Sequence, residues 1–155
     1  MNKLIIIFFF LSFTSGFSQS NNDEIKRIYQ IALENHIDKT QSYIEKKIVT
    51  YQMSDIYFIS KFVPFDLLPK KIGGFELNYL SFSNRKHKRL IKKGARVISI
   101  ELLNLDGNTI SVGLVNFRIT FSKGKYIYTN TGSSISLFKY SCDKNKWNFI
   151  QTDFN

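Results

Sequence analysis

The residues with the clearest chemistry are the cations of one short run, residues 84–96, which reads NRKHKRLIKKGAR. The run holds seven Lys or Arg residues and no acid, whereas the whole chain has a formal net charge of +10. The rest of the chain is therefore close to electrically balanced. Clustered charge of one sign attracts counter-ions of any sequence, and the attraction falls as salt is added. The run predicts an anion-binding or partner-binding surface formed by Arg85, Lys86, Lys88, Arg89, Lys92, Lys93 and Arg96.

Two carboxylates and two tyrosines are candidates for lining a pocket. Glu101 lies on an apolar face of a predicted strand, where it is either a buried site carboxylate or an edge residue paired with a Lys or Arg. Asp55 precedes the strand-like segment 56–62 and either points into a pocket or forms a turn. Tyr126 and Tyr128 share one strand face, as a binding surface or as ordinary cross-strand packing.

Motifs for catalysis, for phosphate loops and for dinucleotide binding are missing from the sequence. His36 has no partner of the right type three or four residues away, so we expect a half-buried helix residue. His87 has no acid or base beside it. We therefore assign no catalytic residue, no metal and no cofactor, and the sequence favours a binding protein over an enzyme.

Cys142 is the single cysteine of the chain. No intramolecular disulfide is then available, and zinc sites built from Cys and His are excluded by number. The favoured interpretation is a small buried residue opposite Trp147, in a hairpin that turns at residues 143–146. The alternative is a reactive or intermolecular thiol.

The first eighteen residues have the organisation of a secretory signal peptide. Lys3 supplies the positive charge, residues 4–13 are apolar, and small residues precede a predicted cut between Ser18 and Gln19. Ten apolar residues are too few to cross a bilayer, which takes about 20. We predict that residues 19–155 form one secreted or periplasmic domain. Export argues against nucleic acid as a partner and favours an anionic envelope component or an acidic protein.

An amphipathic helix is predicted over residues 23–36, with an acidic first turn at Asp23 and Glu24. Residues 41–52 fit either a second helix or a strand. From residue 56 onward, β-branched and aromatic residues predict strands.

The basic run itself predicts a short helix or an ordered loop. Ser83 or Asn84 could cap a helix and Gly94 could end it. An apolar stripe at i, i+3 and i+4 would then anchor the helix through His87, Leu90 and Ile91. The loop is the alternative because two cations in the first turn oppose the helix dipole.

Residues 95–121 predict a bent hairpin that turns at residues 106–108. Apolar residues move from even to odd positions partway along both strands. A two-residue loop gives opposed residues opposite parity, so Ile98 is expected to share a face with Phe117. Either a bulge near Gly113 or a curl of the whole sheet explains the coordinated switch.

A helix or two followed by five or six bent antiparallel strands resembles the cone-shaped NTF2-like α+β fold. The segments that carry the resemblance are residues 25–36, residues 97–121 and the closing FKYSCDKNKWNFI. It implies a strongly bent sheet that wraps a helix and encloses a pocket; a cystatin-like sheet or a small β-sandwich is the alternative. Such folds serve several functions. An exported binding domain, a pocket-containing carrier or enzyme, and an envelope inhibitor or immunity-type protein therefore stay open.

Overall fold

The computed structural model of the chain describes residues 3–60 and 62–155, and it describes side chains from residue 22 onward except that of Asp55. The predicted signal peptide lies outside the described side chains. The elements are α1 (Lys3–Glu45), β1 (Ile56–Ser60), β2 (Lys71–Ile72), β3 (Phe75–Glu76), α2 (Arg85–Lys93), β4 (Ala95–Asp106), β5 (Thr109–Ser122), β6 (Lys125–Ser141) and β7 (Lys146–Phe154), with short 3₁₀ turns at Met53–Asp55 and Phe65–Leu67.

The main sheet has five strands in the order β1-β4-β5-β6-β7, and β2 pairs with β3 in a separate two-stranded sheet. Strands β4 to β7 form an antiparallel meander. The α+β class and the mostly antiparallel sheet are thus confirmed. One edge corrects the wholly antiparallel prediction, because β1 runs parallel to β4, with Phe58 beside Ile98. The long crossover that contains α2 returns the chain to the same end of the sheet, as parallel pairing requires.

Helix α1 covers one face of the sheet and forms the larger core with it. The buried side of α1 consists of Ile28, Tyr29, Ala32, Leu33 and Ile37, and the sheet supplies Ile98, Ile100, Val112, Leu114 and Phe138. The helix extends beyond the predicted 23–36 at both ends. Its buried face continues to Thr40, and the helix ends at Glu45, so only the first five residues of the ambiguous segment 41–52 are helical. Lys47, which has a φ of 55°, follows the end of the helix.

Asp23 and Glu24 therefore lie within α1 rather than in its first turn, and Glu24 binds the edge strand β7. Its carboxylate accepts hydrogen bonds from Arg27 at 2.7 and 2.9 Å and from the backbone N–H of Trp147 at 3.0 Å. Arg27 also donates to the Trp147 carbonyl. The Arg27 hydrogen bond holds the pKa of Glu24 below its ordinary value. These contacts join α1 to the edge strand β7.

A bulge bends the β4–β5 hairpin at the predicted place. The register shifts between Ile100 and Leu103 of β4, opposite Gly113 of β5. The extra residue in β4 changes which residues of the two strands are paired beyond the bulge. Ile98 pairs with Asn116, and Phe117, the next residue, therefore lies on the opposite face of the sheet. The predicted shared face was wrong for this reason.

Helix α2 covers the opposite face of the same sheet. Ile91 of α2 packs in a second core cluster with Ala95 and Val97 of β4 and Ile119 of β5. The first half of β4 is therefore buried on both faces, by α1 on one side and α2 on the other. This double burial explains why apolar residues occupy both odd and even positions there.

The last hairpin turns one residue earlier than predicted, and Cys142 is exposed rather than buried. Tyr140 pairs with Trp147, which leaves residues 142–145 as the loop. Asn145 has a φ of 47°, a left-handed conformation that Asn tolerates, and its N–H donates to the Cys142 carbonyl at 3.3 Å. The core position in this hairpin belongs to Phe138, which is fully buried.

Candidate basic surface and neighbouring cavities

The basic run folds as a capped helix, which decides between the two predicted alternatives. The Asn84 side chain accepts a hydrogen bond from the Lys86 N–H at 2.8 Å and so caps the N-terminus. Gly94 ends the helix in a left-handed conformation with a φ of 93°, and its N–H donates to the Ile91 carbonyl at 3.0 Å. These caps satisfy orphan backbone groups at both ends of a short helix.

The predicted apolar stripe anchors this helix to the sheet. Ile91 is fully buried, and Leu90 and His87 are half-buried. The His87 Nδ1 accepts a hydrogen bond from the Ser81 N–H at 2.9 Å, and its ring meets the Tyr57 ring edge-on at 5.8 Å. These contacts hold one side of α2 against the sheet, so the opposite side of the helix faces outward in a fixed orientation.

Six cations lie on the outer side of α2, and we call them the basic surface: Arg85, Lys86, Lys88, Arg89, Lys92 and Lys93. All six side chains are exposed. The ion pairs among the described residues join Arg27 to Glu24 and Lys71 to Glu76, and neither involves α2. The basic surface therefore carries uncompensated positive charge.

Arg96, the seventh predicted cation, lies apart from the basic surface. Its neighbours in β4, Ala95 and Val97, belong to the cluster under α2, so the Arg96 side chain points to the other face of the sheet. There its guanidinium lies over the ring of Tyr51, 4.5 Å from the centroid. Its partner across the β4–β5 pairing is Arg118.

A cavity of about 680 Å³ on the α2 side of the sheet brings together two of the four predicted pocket residues, Glu101 and Tyr128. Its aromatic lining consists of Phe62, Phe65, Phe82, Phe117 and Tyr128. Glu101 is half-buried beside the bulge, and Ser99 Oγ donates to its Oε1 at 2.8 Å. Within the described chain Glu101 has no ion pair with a Lys or Arg.

Tyr126, the third predicted pocket residue, is not among the residues that line this cavity. Tyr126 packs edge-on against Phe82 and at a tilt against Phe121, both at 5.0 Å between ring centroids, and keeps 37% of its surface exposed. The side chain of Asp55 lies outside the described residues. Partial burial raises the pKa of the Tyr128 hydroxyl, and Tyr126 nearby adds to the effect.

His36 is fully buried rather than half-buried, and both of its ring nitrogens have partners distant in sequence. Nδ1 lies 2.7 Å from Ser134 Oγ, and Nε2 lies 3.0 Å from Asn116 Oδ1. An amide oxygen only accepts, so Nε2 carries the proton and Nδ1 accepts from the serine hydroxyl. Ser134 is 1% exposed and His36 is 2% exposed, which leaves a substrate no access to the serine hydroxyl or the imidazole. Its role is to join α1 to β5 and β6.

The buried His36 predicts a pH dependence of stability. Burial lowers its pKa below the ordinary value of 6.5, so the unfolded chain binds the proton more readily than the folded protein. The contribution of His36 to the free energy of unfolding should therefore be fully present above about pH 6.5. It should fall, by at most about 1.4 kcal/mol per pH unit, as the pH drops toward the pKa of His36 in the folded protein. Urea denaturation at about pH 7.5 and 5.5 measures the difference.

Two single variants identify the source of that difference. His36→Gln should flatten the pH dependence, while His87→Gln, which removes the other histidine, should retain it. An unchanged slope in His36→Gln would show that another group is responsible.

Comparison with known proteins finds no matching family model, no matching curated protein and no matching solved structure. Among the described residues, no three His, Cys, Asp or Glu side chains are grouped closely enough to hold a metal ion. In the same part of the chain, no helix combines the length and apolar character needed to cross a membrane.

Proposed function

We propose that this protein is an exported, non-enzymatic binding domain that attaches through its basic surface to an anionic component of the cell envelope or to an acidic protein. The observation that carries the proposal is the display of six exposed cations, none of which forms an ion pair with a described residue, on a helix that is capped at both ends and anchored by Ile91. The leader-like residues 1–18 support the choice of an extracytoplasmic partner.

The rigidity of the helix makes this arrangement effective. Each Lys or Arg close to an anionic lipid surface contributes about 1 kcal/mol of attraction. Flexible cations would lose part of this attraction in ordering themselves, whereas α2 holds them in place before the partner arrives. Engagement of three or four cations at once is enough for measurable binding.

Vesicle binding tests this function. The purified protein should co-sediment with vesicles that contain phosphatidylglycerol and stay in solution with pure phosphatidylcholine vesicles. Because exposed charges are screened by salt, binding seen at about 50 mM salt should be lost at about 500 mM. Equal binding to both kinds of vesicle, or binding that salt does not weaken, would contradict an electrostatic surface.

A second candidate function is the carriage of a small ligand in the cavity beside Glu101. Its volume of about 680 Å³ lies in the range of small-molecule sites, about 300–1,000 Å³. Aromatic walls with one carboxylate suit a ligand that has an apolar ring and a positively charged group. A pocket of this kind is also what the resemblance to NTF2-like folds implies.

Aromatic amines of different size are suitable probes for the cavity. Isothermal titration should show saturable binding of at least one of them, and Glu101→Gln should weaken it by about tenfold or more through loss of a charged hydrogen bond. Glu76→Gln, at an exposed carboxylate outside the cavity, is the matched control. No saturable binding across the series would eliminate the carrier function.

A further inference from the structure

We propose a second anion site, separate from the basic surface, in which Arg96 and Arg118 together bind one small oxyanion, a phosphate or a carboxylate. The site lies in a cleft between the segment that follows α1 and the first half of the β4–β5 pairing. It uses none of the six cations of α2, so the proposal is independent of the function proposed above.

The arginine pair is the first observation. Arg96 and Arg118 are direct partners across antiparallel strands, where side chains begin about 5 Å apart. Like charges in such positions destabilise a sheet. Among the described residues neither arginine has an ion-pair partner that would offset the repulsion. One anion bound between the two guanidinium groups would do so, because arginine binds carboxylate and phosphate through paired N–H donors.

The second observation is the space between them. The cleft has a volume of about 260 Å³, which is enough for a small oxyanion with water. Both arginines line it, together with Tyr51, Asn116 and Thr131. Arg96 is already oriented, since its guanidinium stacks on the Tyr51 ring at 4.5 Å from the centroid.

The third observation is that the polar groups around the cleft are mostly donors. Asn116 Oδ1 is occupied by His36 Nε2 at 3.0 Å, which leaves the amide NH₂ of Asn116 as a donor. Burial raises the pKa of the Tyr51 hydroxyl, although Arg96 opposes the shift, so this group stays protonated at neutral pH and can donate. No carboxylate is among the described residues that line the cleft, and two arginines with further donors beside them are the chemistry that recognises an oxyanion.

The buried His36 orients Asn116 in this arrangement. His36 Nε2–H donates to Asn116 Oδ1 while Nδ1 accepts from Ser134 Oγ, so the buried histidine holds the oxygen end of the Asn116 amide. Asn116 is thereby a positioning residue whose donor end is set before the anion binds.

Thermal unfolding of the purified protein tests the site, with sodium phosphate and sodium acetate compared with sodium chloride at matched ionic strength. At about ten times Kd, a binding oxyanion should raise Tm by about 4–5 °C over chloride. A rise with phosphate alone, with acetate alone or with both supports the site and identifies which oxyanion it takes. No rise with either salt overturns the proposal.

Variants distinguish the cleft from general charge effects. Arg96→Gln and Arg118→Gln should each abolish the rise, whereas Lys92→Gln, which removes one cation from α2, should keep it. In sodium chloride alone, Arg118→Gln should unfold at the wild-type Tm or above, because the repulsion is relieved, and this also verifies that it folds. A rise that persists in both arginine variants, or that Lys92→Gln also loses, would overturn the site.

Discussion

Replacing Lys88, Arg89, Lys92 and Lys93 together with glutamate is expected to abolish binding to anionic vesicles and to heparin. The change removes four attractive charges and introduces four repulsive ones. At about 1 kcal/mol for each cation near an anionic surface, the loss of attraction alone weakens binding by more than about a hundredfold. All four side chains are exposed, so the fold should persist, at a cost of about 1 kcal/mol for acids in the last helical turn. Co-sedimentation measures the binding, and circular dichroism verifies the fold.

The matched control moves the same charge change elsewhere on the protein. Lys46, Lys70, Lys139 and Lys144 are also exposed and lie outside α2. Their replacement with glutamate gives the same net charge, yet most of the vesicle binding should remain. An equal loss in the two variants would mean that the total charge of the protein, rather than the basic surface, determines vesicle binding.

Ile91→Ala is expected to lower the free energy of unfolding by about 2–4 kcal/mol. Ile91 is 0% exposed and is the buried anchor of α2 between Val97 and Ile119. Truncation removes apolar contacts and leaves a void. Because both ends of α2 are held by the chain on either side, the helix can move only partly into that void. Urea denaturation measures the change, with an unchanged m value indicating that the native state keeps its compactness.

Ile127→Ala is the control for that substitution. Ile127 is 48% exposed on β6, so the same truncation should cost about 0.5 kcal/mol or less. A similar cost at both positions would show that α2 does not pack on the sheet as described. Ile91→Ala keeps every cation of the basic surface. Any loss of vesicle binding in this variant therefore measures how much the firm attachment of α2 to the sheet contributes to binding.

Local signals in the sequence predicted the elements that depend on neighbouring residues. Asn84 and Gly94 cap α2 through contacts within a few residues, and the stripe that ends in Ile91 is also local. The turn after Asp106 followed from its turn residues, and the apolar pattern of the two strands gave the bulge near Gly113 as one of two explanations, the other being a curl of the whole sheet. These features need no knowledge of the rest of the fold.

Features that depend on distant contacts were missed. The parallel pairing of β1 with β4 depends on a crossover whose path the sequence does not reveal. The exposure of Cys142 was missed for a local reason, since the left-handed Asn145 in the same turn shifts the hairpin by one residue.

The candidate sites were predicted only in part for the same reason. The meeting of Glu101 with Tyr128 in one cavity results from the packing of four strands, β1, β4, β5 and β6, with the connecting segments that carry Phe62 and Phe82. The partners of His36 lie 80 and 98 residues away along the chain. The separation of Arg96 from the other six cations follows from the alternation of side chains in β4, which begins one residue after Gly94.

Amide chemical-shift mapping tests the role of α2 most directly. A ¹⁵N-labelled sample would be titrated with a short heparin fragment at about 50 mM salt, where electrostatic contacts are weakly screened. We expect the largest shifts in Arg85–Lys93 and their reversal on addition of salt. Shifts concentrated on β7 or on the loop at residues 142–145, with Arg85–Lys93 unchanged, would contradict the assignment of the basic surface as the binding site.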